Sequence, residues 1–444
     1  MNPSTDEKSI SKPNVHNAPR KGIEYIPVEV SHDILARLPL SSLVQCRYVS
    51  RIWRQLSHEV SLLNTHLLRI GKKNPSLVFH CLDSERNQLR FLELSSPVCN
   101  TEISCEINIP FHPSMPNKIH ILGSCNGLLC ISDEFRNDPY HIYNPVTRKY
   151  KELPRSRQFF QQRVEAGFGL DLIANEYKLV KMVYYKDPYT GPLPQQVYRC
   201  GFPNYPHSEV LVCDISSNTW RSIGSIPYEF KRQTTEHHGS PKEMLYLNGR
   251  LHWVKGSGRH QGFNSSNPRI ISFDLSDEQF YEVLKPACGS LDKPNYLLSV
   301  LGGCLSAAVY TTDGNVAIWM MKEYGVKESW IKEFEIEAQP RNIDIGLQRS
   351  SNVRIFYVHG IWAYRVLHGK SVRVLCFLES GDVLLEYKDG KLASYDPRSG
   401  ETRDLQFQGL PRKFNTTVHI GSLDWINEPQ ATSSCIEDLE TSSR

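Results

Sequence analysis

The sequence is short of long apolar runs. The longest nearly apolar stretch, Tyr296–Tyr310, is broken by Ser299, Gly302, Gly303 and Ser306. A bilayer-spanning helix needs ~20 such residues, so the stretch reads as buried strand. The opening residues, Met1–Lys21, hold Pro, Asn, Ser and Lys but no apolar core of a secretory leader. Charge of one sign is lacking too: 51 basic and 48 acidic residues leave a formal charge of +3. That is too little to draw the whole molecule to nucleic acid or to a membrane.

The patterns of catalysis and metal binding are equally scarce. No G-x-S-x-G elbow occurs. His368-Gly369-Lys370-Ser371 ends like a phosphate loop, but Tyr364 stands where its first glycine belongs, so the cradle of backbone N–H groups is missing. Cys125 and Cys130 form a C-x4-C pair with no second pair at comparable spacing, and buried strand thiols are the simpler reading. His237 and His238 are adjacent and point apart. His252, beside Trp253, reads as sheet packing, and acid pairs such as Asp277-Glu278 read as solvated turns. The expectation is a chain without an active site, metal or cofactor.

The 12 cysteines, in a chain this long and without a leader, imply reduced thiols in the cytoplasm or nucleus. The sequons at Asn264 and Asn415 then carry no meaning, since the chain does not meet the glycosylation machinery.

The order of elements changes near residue 72. Polar tails, 1–23 and 428–444, flank a helical segment over 24–70 and a β domain over 75–425. In the helical segment Val49, Ile52, Trp53 and Leu56 form one stripe at helical spacing. Val30, Ile34, Leu35 and Leu38 form a second, closed by Pro39. Ser41 and Ser50 are candidate N-caps, and Val60, Leu63 and Leu67 add another turn or two. Arg47, Arg51 and Arg54 form a basic strip, either a solvated face or a surface for an acidic partner.

The rest is punctuated by turns. Asn126-Gly127, Asn248-Gly249, Asp313-Gly314 and Asp389-Gly390 each sit between apolar or alternating runs and mark hairpins. A second motif places an acid or amide at a strand end and a large side chain six residues on: Asn144 with Tyr150, Asp214 with Trp220, Asp274 with Phe280. Weaker copies start at Asp83, near Glu323 with Trp330, and at Asp396. The mean spacing from Asp83 to Asp396 is about 63 residues, the size of a four-stranded propeller blade with long loops. The acid bonds the turn backbone, and the aromatic packs between blades. The fold expected is α+β and multidomain: a small N-terminal helical bundle, then a mainly β domain, an irregular β-propeller. The blade count stays open, and a stack of two β-sandwiches is the competing fold.

About 45 residues of short helices lie at the limit of independent stability, and Cys46 alone cannot make a metal site. Burial of five or six such side chains on a partner would gain roughly 1.5–3 kcal/mol each before ordering costs. A protein partner is therefore expected.

Residues Asp33–Leu56, DILARLPLSSLVQCRYVSRIWRQL, preceded by Ile26-Pro27, resemble an F-box. Ile26-Pro27 stands where that family has Leu-Pro, and Tyr48 where it often has cysteine. GSCNGLLCI (123–131), YNPVTRKYKELP (143–154), FGLDLIANEYKLVK (168–181) and LNGRLHWV (247–254) resemble, in order, the kelch-like F-box-associated region of plant F-box proteins. The resemblance implies a helical bundle docked on the Skp-type adaptor of a cullin-RING ubiquitin ligase. The adaptor-facing residues it implies are Ile26, Pro27, Ile34, Leu35, Leu38, Pro39, Leu43, Val44, Val49 and Trp53, some of which must instead form the bundle's core. It implies a non-catalytic substrate receptor, joined through the adaptor to a cullin and holding an unnamed target protein. Two loops, Lys186–Ser208 with five prolines and three tyrosines and the basic Val254–Arg269, are candidate target contacts. The rival readings are an adaptor-binding scaffold that delivers no target, and a ligand-binding or enzymatic propeller with a helical cap.

Overall fold

The computed structural model describes residues 26–70, 75–81, 88–94, 104–109, 111, 119–133, 138–186, 207–227, 244–255, 269–286, 296–310, 315–337, 353–358, 361–366, 372–387, 390–411, 413–423 and 425–426. The chain divides into two compact units between His66 and Leu67.

The first unit is helical: α1 (Val28–Leu35), α2 (Leu40–Cys46), α3 (Arg51–Leu56) and α4 (Val60–Ile70). Prolines set two of the starts, because their fixed φ suits the entry to a helix. Pro27 and Pro39 occupy the N-cap positions of α1 and α2. Ser41 therefore lies inside α2, not at its cap. Ser50 does cap α3, its Oγ accepting from Trp53 N at 3.1 Å. The basic strip is not one helical face, since Arg47 closes α2 while Arg51 and Arg54 sit on α3. The last helix is longer than the turn or two expected.

The second unit is a six-bladed β-propeller, and the sandwich alternative falls. Blade 1 takes β1 (Ser76–Cys81), β2 (Leu89–Glu93) and β3 (Cys105–Ile107). Blade 2 is β4 (Ile119–Cys125), β5 (Leu128–Asp133), β6 (Tyr140–Tyr143) and β7 (Tyr150–Glu152). Blade 3 is β8 (Arg163–Asp171), β9 (Glu176–Tyr185), β10 (His207–Asp214) and β11 (Thr219–Gly224). Blade 4 is β12 (Leu245–Leu247), β13 (Arg250–Lys255), β14 (Arg269–Asp274) and β15 (Phe280–Val283). Blade 5 is β16 (Tyr296–Leu301), β17 (Cys304–Tyr310), β18 (Val316–Met321) and β19 (Trp330–Ile336). A separate hairpin follows, β20 (Val353–Val358) with β21 (Ile361–Val366). Blade 6 is β22 (Val372–Phe377), β23 (Val383–Tyr387), β24 (Lys391–Tyr395) and β25 (Thr402–Leu405). The last strand, β26 (Phe414–His419), returns to pair with β1 as the innermost strand of blade 1.

Each seam between neighbouring blades is an apolar cluster, so the blades bury their faces on one another. Between blades 2 and 3, Leu128, Cys130, Tyr140 and Ile142 meet Phe168, Leu179 and Cys213. Between blades 6 and 1, Leu384 and Leu392 meet Leu77, Phe79 and Leu92. A polar clasp reinforces that closing seam. Glu386 Oε1 accepts from Thr416 N and Oγ1 at 3.1 and 2.7 Å, and Arg373 Nη1 donates to Thr416 O at 2.6 Å.

Both repeated turn signals have a structural cause. Asn126 and Gly127 (φ 46° and 84°) and Asn248 and Gly249 (φ 50° and 76°) close hairpins that demand two left-handed residues in a row. Asp313-Gly314 and Asp389 lie outside the described residues. In the second motif the carbonyls of Asn144, Asp214, Asp274 and Asp396 accept from the N–H four residues on. The residues that donate, Arg148, Asn218, Glu278 and Gly400, all have positive φ. The side-chain oxygens of Asn144, Asp274 and Asp396 also take the N–H two residues on, at 2.8–2.9 Å. The aromatics bridge blades at two copies: Trp220 Nε1 donates to Pro154 O at 2.7 Å, and Trp330 Nε1 to Leu284 O at 2.9 Å. Tyr150 departs from the pattern and is half exposed. The copy starting at Asp83 lies outside the described residues.

Beyond β26 the chain crosses to blade 2 as a strap. Asn144 Nδ2, fully buried, donates to Ser422 O at 2.9 Å, and Ile426 joins the seam of blades 2 and 3. Gly127 faces this strap so closely that a Cβ there would lie 2.5 Å from Ser422 Cβ. At Gly169, in the FGLD stretch, a Cβ would overlap the Tyr246 ring of blade 4.

Candidate partner-binding surfaces

In the helical unit burial separates two classes of apolar residue. Leu35, Leu43 and Leu62 are 0% exposed, and Ala36, Leu40, Cys46, Leu56 and Leu63 are buried with them. His66 joins this interior, its ring nitrogen Nε2 donating to Leu38 O at 3.0 Å. Burial holds that imidazole below its ordinary pKa, against the pull of the same bond. Around the interior, Arg37 pairs with Asp33 at 2.8 Å, His32 Nε2 lies 2.6 Å from Glu59 Oε2, and Arg47 bonds His58 Nε2 at 2.5 Å.

Of the ten residues implied by the F-box resemblance, Leu35 and Leu43 belong to this interior. Ile26, Leu38, Val44 and Trp53 are half-buried, and Pro27, Ile34, Pro39 and Val49 are exposed. The exposed set extends to Val28, Val30, Tyr48, Ile52 and Leu68, none of which was in the expected list. Tyr48 is 82% and Val49 59% exposed, unusually bare for side chains of that size side by side. Val30 and Ile34, four residues apart on α1, share one face. The signal for Val28 and Val30 was present in the sequence as apolar residues at the very start of α1.

The propeller presents two unlike ends. Because strands alternate in direction, connections from first to second and from third to fourth strand emerge at one end of the barrel of blades. These are the tight Asn-Gly and Asx turns. Connections from second to third strand, and from each blade to the next, emerge at the other. The candidate loops Lys186–Ser208 (β9 to β10) and Val254–Arg269 (β13 to β14) both join second to third strands, so they leave from that same second end. Most of their residues, 187–206 and 256–268, lie outside the described residues.

Several polar groups buried in the propeller serve its structure. His252 is fully buried between Leu245 O (3.2 Å from Nδ1) and the Tyr324 hydroxyl (2.7 Å from Nε2), and burial pushes its pKa down to about 4. Lys178 links blade 3 to blade 4 through Leu275 O at 2.7 Å and Glu278 at 3.1 Å, and pairs with Asp171 of its own blade at 2.9 Å. Cys125 and Cys130 are buried free thiols, and burial raises the pKa of Cys130. Among the described residues no group of His, Cys, Asp and Glu has the arrangement of a metal site. His237 and His238 lie outside them.

Comparison with known proteins agrees with this division. Residues 23–65 match the F-box domain and residues 84–376 the F-box associated beta propeller domain. The chain is 39% identical to F-box protein At3g07870 of Arabidopsis thaliana, over 92% of this chain and 94% of that one. It is 27% identical to F-box protein CPR1 of the same plant, over 90% and 88%. It is 26% identical to the F-box/kelch-repeat protein At3g23880, over 70% and 79%.

Proposed function

We propose, from the premise that this chain belongs to the F-box proteins carrying an F-box associated β-propeller domain, that it is the substrate receptor of an SCF-type ubiquitin ligase. The helical unit binds a Skp-type adaptor and, through it, a cullin, while the propeller holds a target protein. The observation that carries this reading is the bare apolar surface of the helical unit: Val30 and Ile34 on α1, and Tyr48, Val49 and Ile52 from the end of α2 into α3. Fully burying a valine or isoleucine gains roughly 1.5–3 kcal/mol, so these half-exposed side chains together supply enough to hold a partner. The adaptor-facing set then includes Ile34 and Val49, bordered by Pro27, Pro39, Leu38, Val44 and Trp53. Leu35 and Leu43 hold the bundle together instead.

Under this reading the chain makes and breaks no bond. Its contribution is proximity: a target held on the propeller meets the charged ubiquitin-conjugating enzyme at a high effective concentration. The test uses surface positions so that folding is spared. Ile34→Asp with Val49→Asp in the full chain should abolish co-purification of a Skp-type adaptor and cullin. Undiminished capture by the double variant would sink the interface.

A further inference from the structure

We propose that the propeller grips its target through the β7–β8 loop and the adjoining ends of β9 and β10, and that the target offers an acidic segment bearing an aromatic or bulky apolar side chain. The proposal rests on the receptor reading above and names the chemistry of what that receptor holds.

The loop, residues 153–162, is built on a buried polar anchor. Asp138 Oδ2 accepts from Ser156 N at 2.9 Å, Ser156 Oγ at 2.8 Å and Gln158 Nε2 at 2.6 Å. Beneath it Lys181, 0% exposed, donates to Ser156 Oγ at 2.6 Å and stands 3.7 Å from Asp138. Ser156 is thereby turned inward, and its neighbours Arg155 and Arg157 are both left exposed.

A ladder of stacked rings continues from this loop. The Arg157 guanidinium lies 5.0 Å over Phe159, Phe159 stacks on Tyr185 at 4.4 Å, and Tyr185 stacks on His207 at 5.4 Å. Lys186 N donates to Phe160 O at 3.3 Å, which ties the end of β9 to the loop. Phe160 itself is 51% exposed, and Gln161 behind it takes a positive φ of 48°.

Charge decides the occupant. The guanidinium of Arg155, that of Arg157 and the ammonium of Lys186 have no carboxylate partner among the described residues. Two acids near them are already engaged: Asp138 as above, and Glu165 by Arg163. Three cations with no carboxylate partner among the described residues, set beside a half-bare phenylalanine, suit carboxylates flanking an apolar anchor. A guanidinium stacked on a ring loses little freedom on binding, and the buried anchor holds the loop in shape beforehand. The surface lies at the end of the propeller where the loops emerge, at the base of the Lys186–Ser208 connection.

The experiment pans the full chain against displayed random peptides of about twelve residues, long enough to carry such a motif. Captured peptides should be net negative and hold Phe, Tyr, Trp or Leu. Synthetic copies should bind R155E/R157E at least about tenfold more weakly and lose affinity as salt rises. F160A should weaken the aromatic-bearing copies alone. Neutral or basic winners, no winners, or equal binding to R155E/R157E would overturn the proposal. So would peptides that bind only after residues 187–206 are shortened, since the surface would then be covered by this chain itself. Adaptor capture is read in parallel. If wild type and R155E/R157E both capture it, a negative panning result removes this site alone; if wild type does not, the receptor reading itself falls.

Discussion

Acidification should unfold the propeller well above the range in which carboxylates titrate. His80, His252 and His419 are 6%, 0% and 0% exposed. Burial, with His120 adding to it at His80, pushes their pKa values down to about 4, 4 and 3. Their value in an unfolded chain is about 6.5. Between those limits the unfolded chain binds more protons than the folded one. The stability these rings contribute is therefore complete above pH 6.5 and is lost as the pH falls toward 4. Each ring costs about 0.7 kcal/mol between pH 7 and 6 and about 1.8 kcal/mol between pH 7 and 5. Three rings then remove about 2 and about 5 kcal/mol, the second comparable to the whole stability of a small domain. His120, also held down to about 4, adds a fourth contribution of similar size. Urea unfolding followed by tryptophan fluorescence at pH 7, 6 and 5 reads the loss, and His252→Asn should reduce its slope by about one quarter. An unfolding free energy that stays level from pH 7 to 5 would refute the reasoning.

Two further substitutions probe the supports of the binding surfaces. Gly127→Ala places a methyl group against Ser422 at a residue with φ 84°, and should cost about 1–3 kcal/mol in urea unfolding; a loss under about 0.5 kcal/mol would show that the strap yields. Lys181→Met strands the Asp138 carboxylate in the interior and should cost about 3–5 kcal/mol. Adding Asp138→Asn should recover part of that loss, and a double variant no more stable than the single one would dissolve the pairing.

Much of the chain was legible because its signals are local. Asn-Gly pairs and the Asx motif act within five residues, so their turns could be assigned before any strand was paired. The F-box stretch and the four later motifs likewise marked the family in order. The blade count was harder. The connection from β18 to β19 runs Lys322–Ser329 through a short 3₁₀ turn in place of the common one, and this irregular copy hid the period. At α2 both Ser41 and Pro39 suit a helix start, and Pro39 takes the cap. The three arginines have helical spacing yet do not share one helix, because α2 ends at Cys46 and α3 begins at Arg51. For the β7–β8 surface one signal was available: a lysine at 181 inside the apolar run of β9 has to find a buried partner.

By itself the sequence determined the order of a helical unit and a β-rich unit, the positions of the tight turns, and the family, because each depends on residues close together in the chain. Only the tertiary structure decided which apolar helix residues face inward, since Leu35 and Ile34 are neighbours of like chemistry that burial alone separates. It alone closed the ring, because Ser76 pairs with His419 across the whole length of the propeller and no local pattern encodes such a contact. It alone brought Asp138, Ser156 and Lys181 together, three common residues whose meaning comes from meeting where water is excluded.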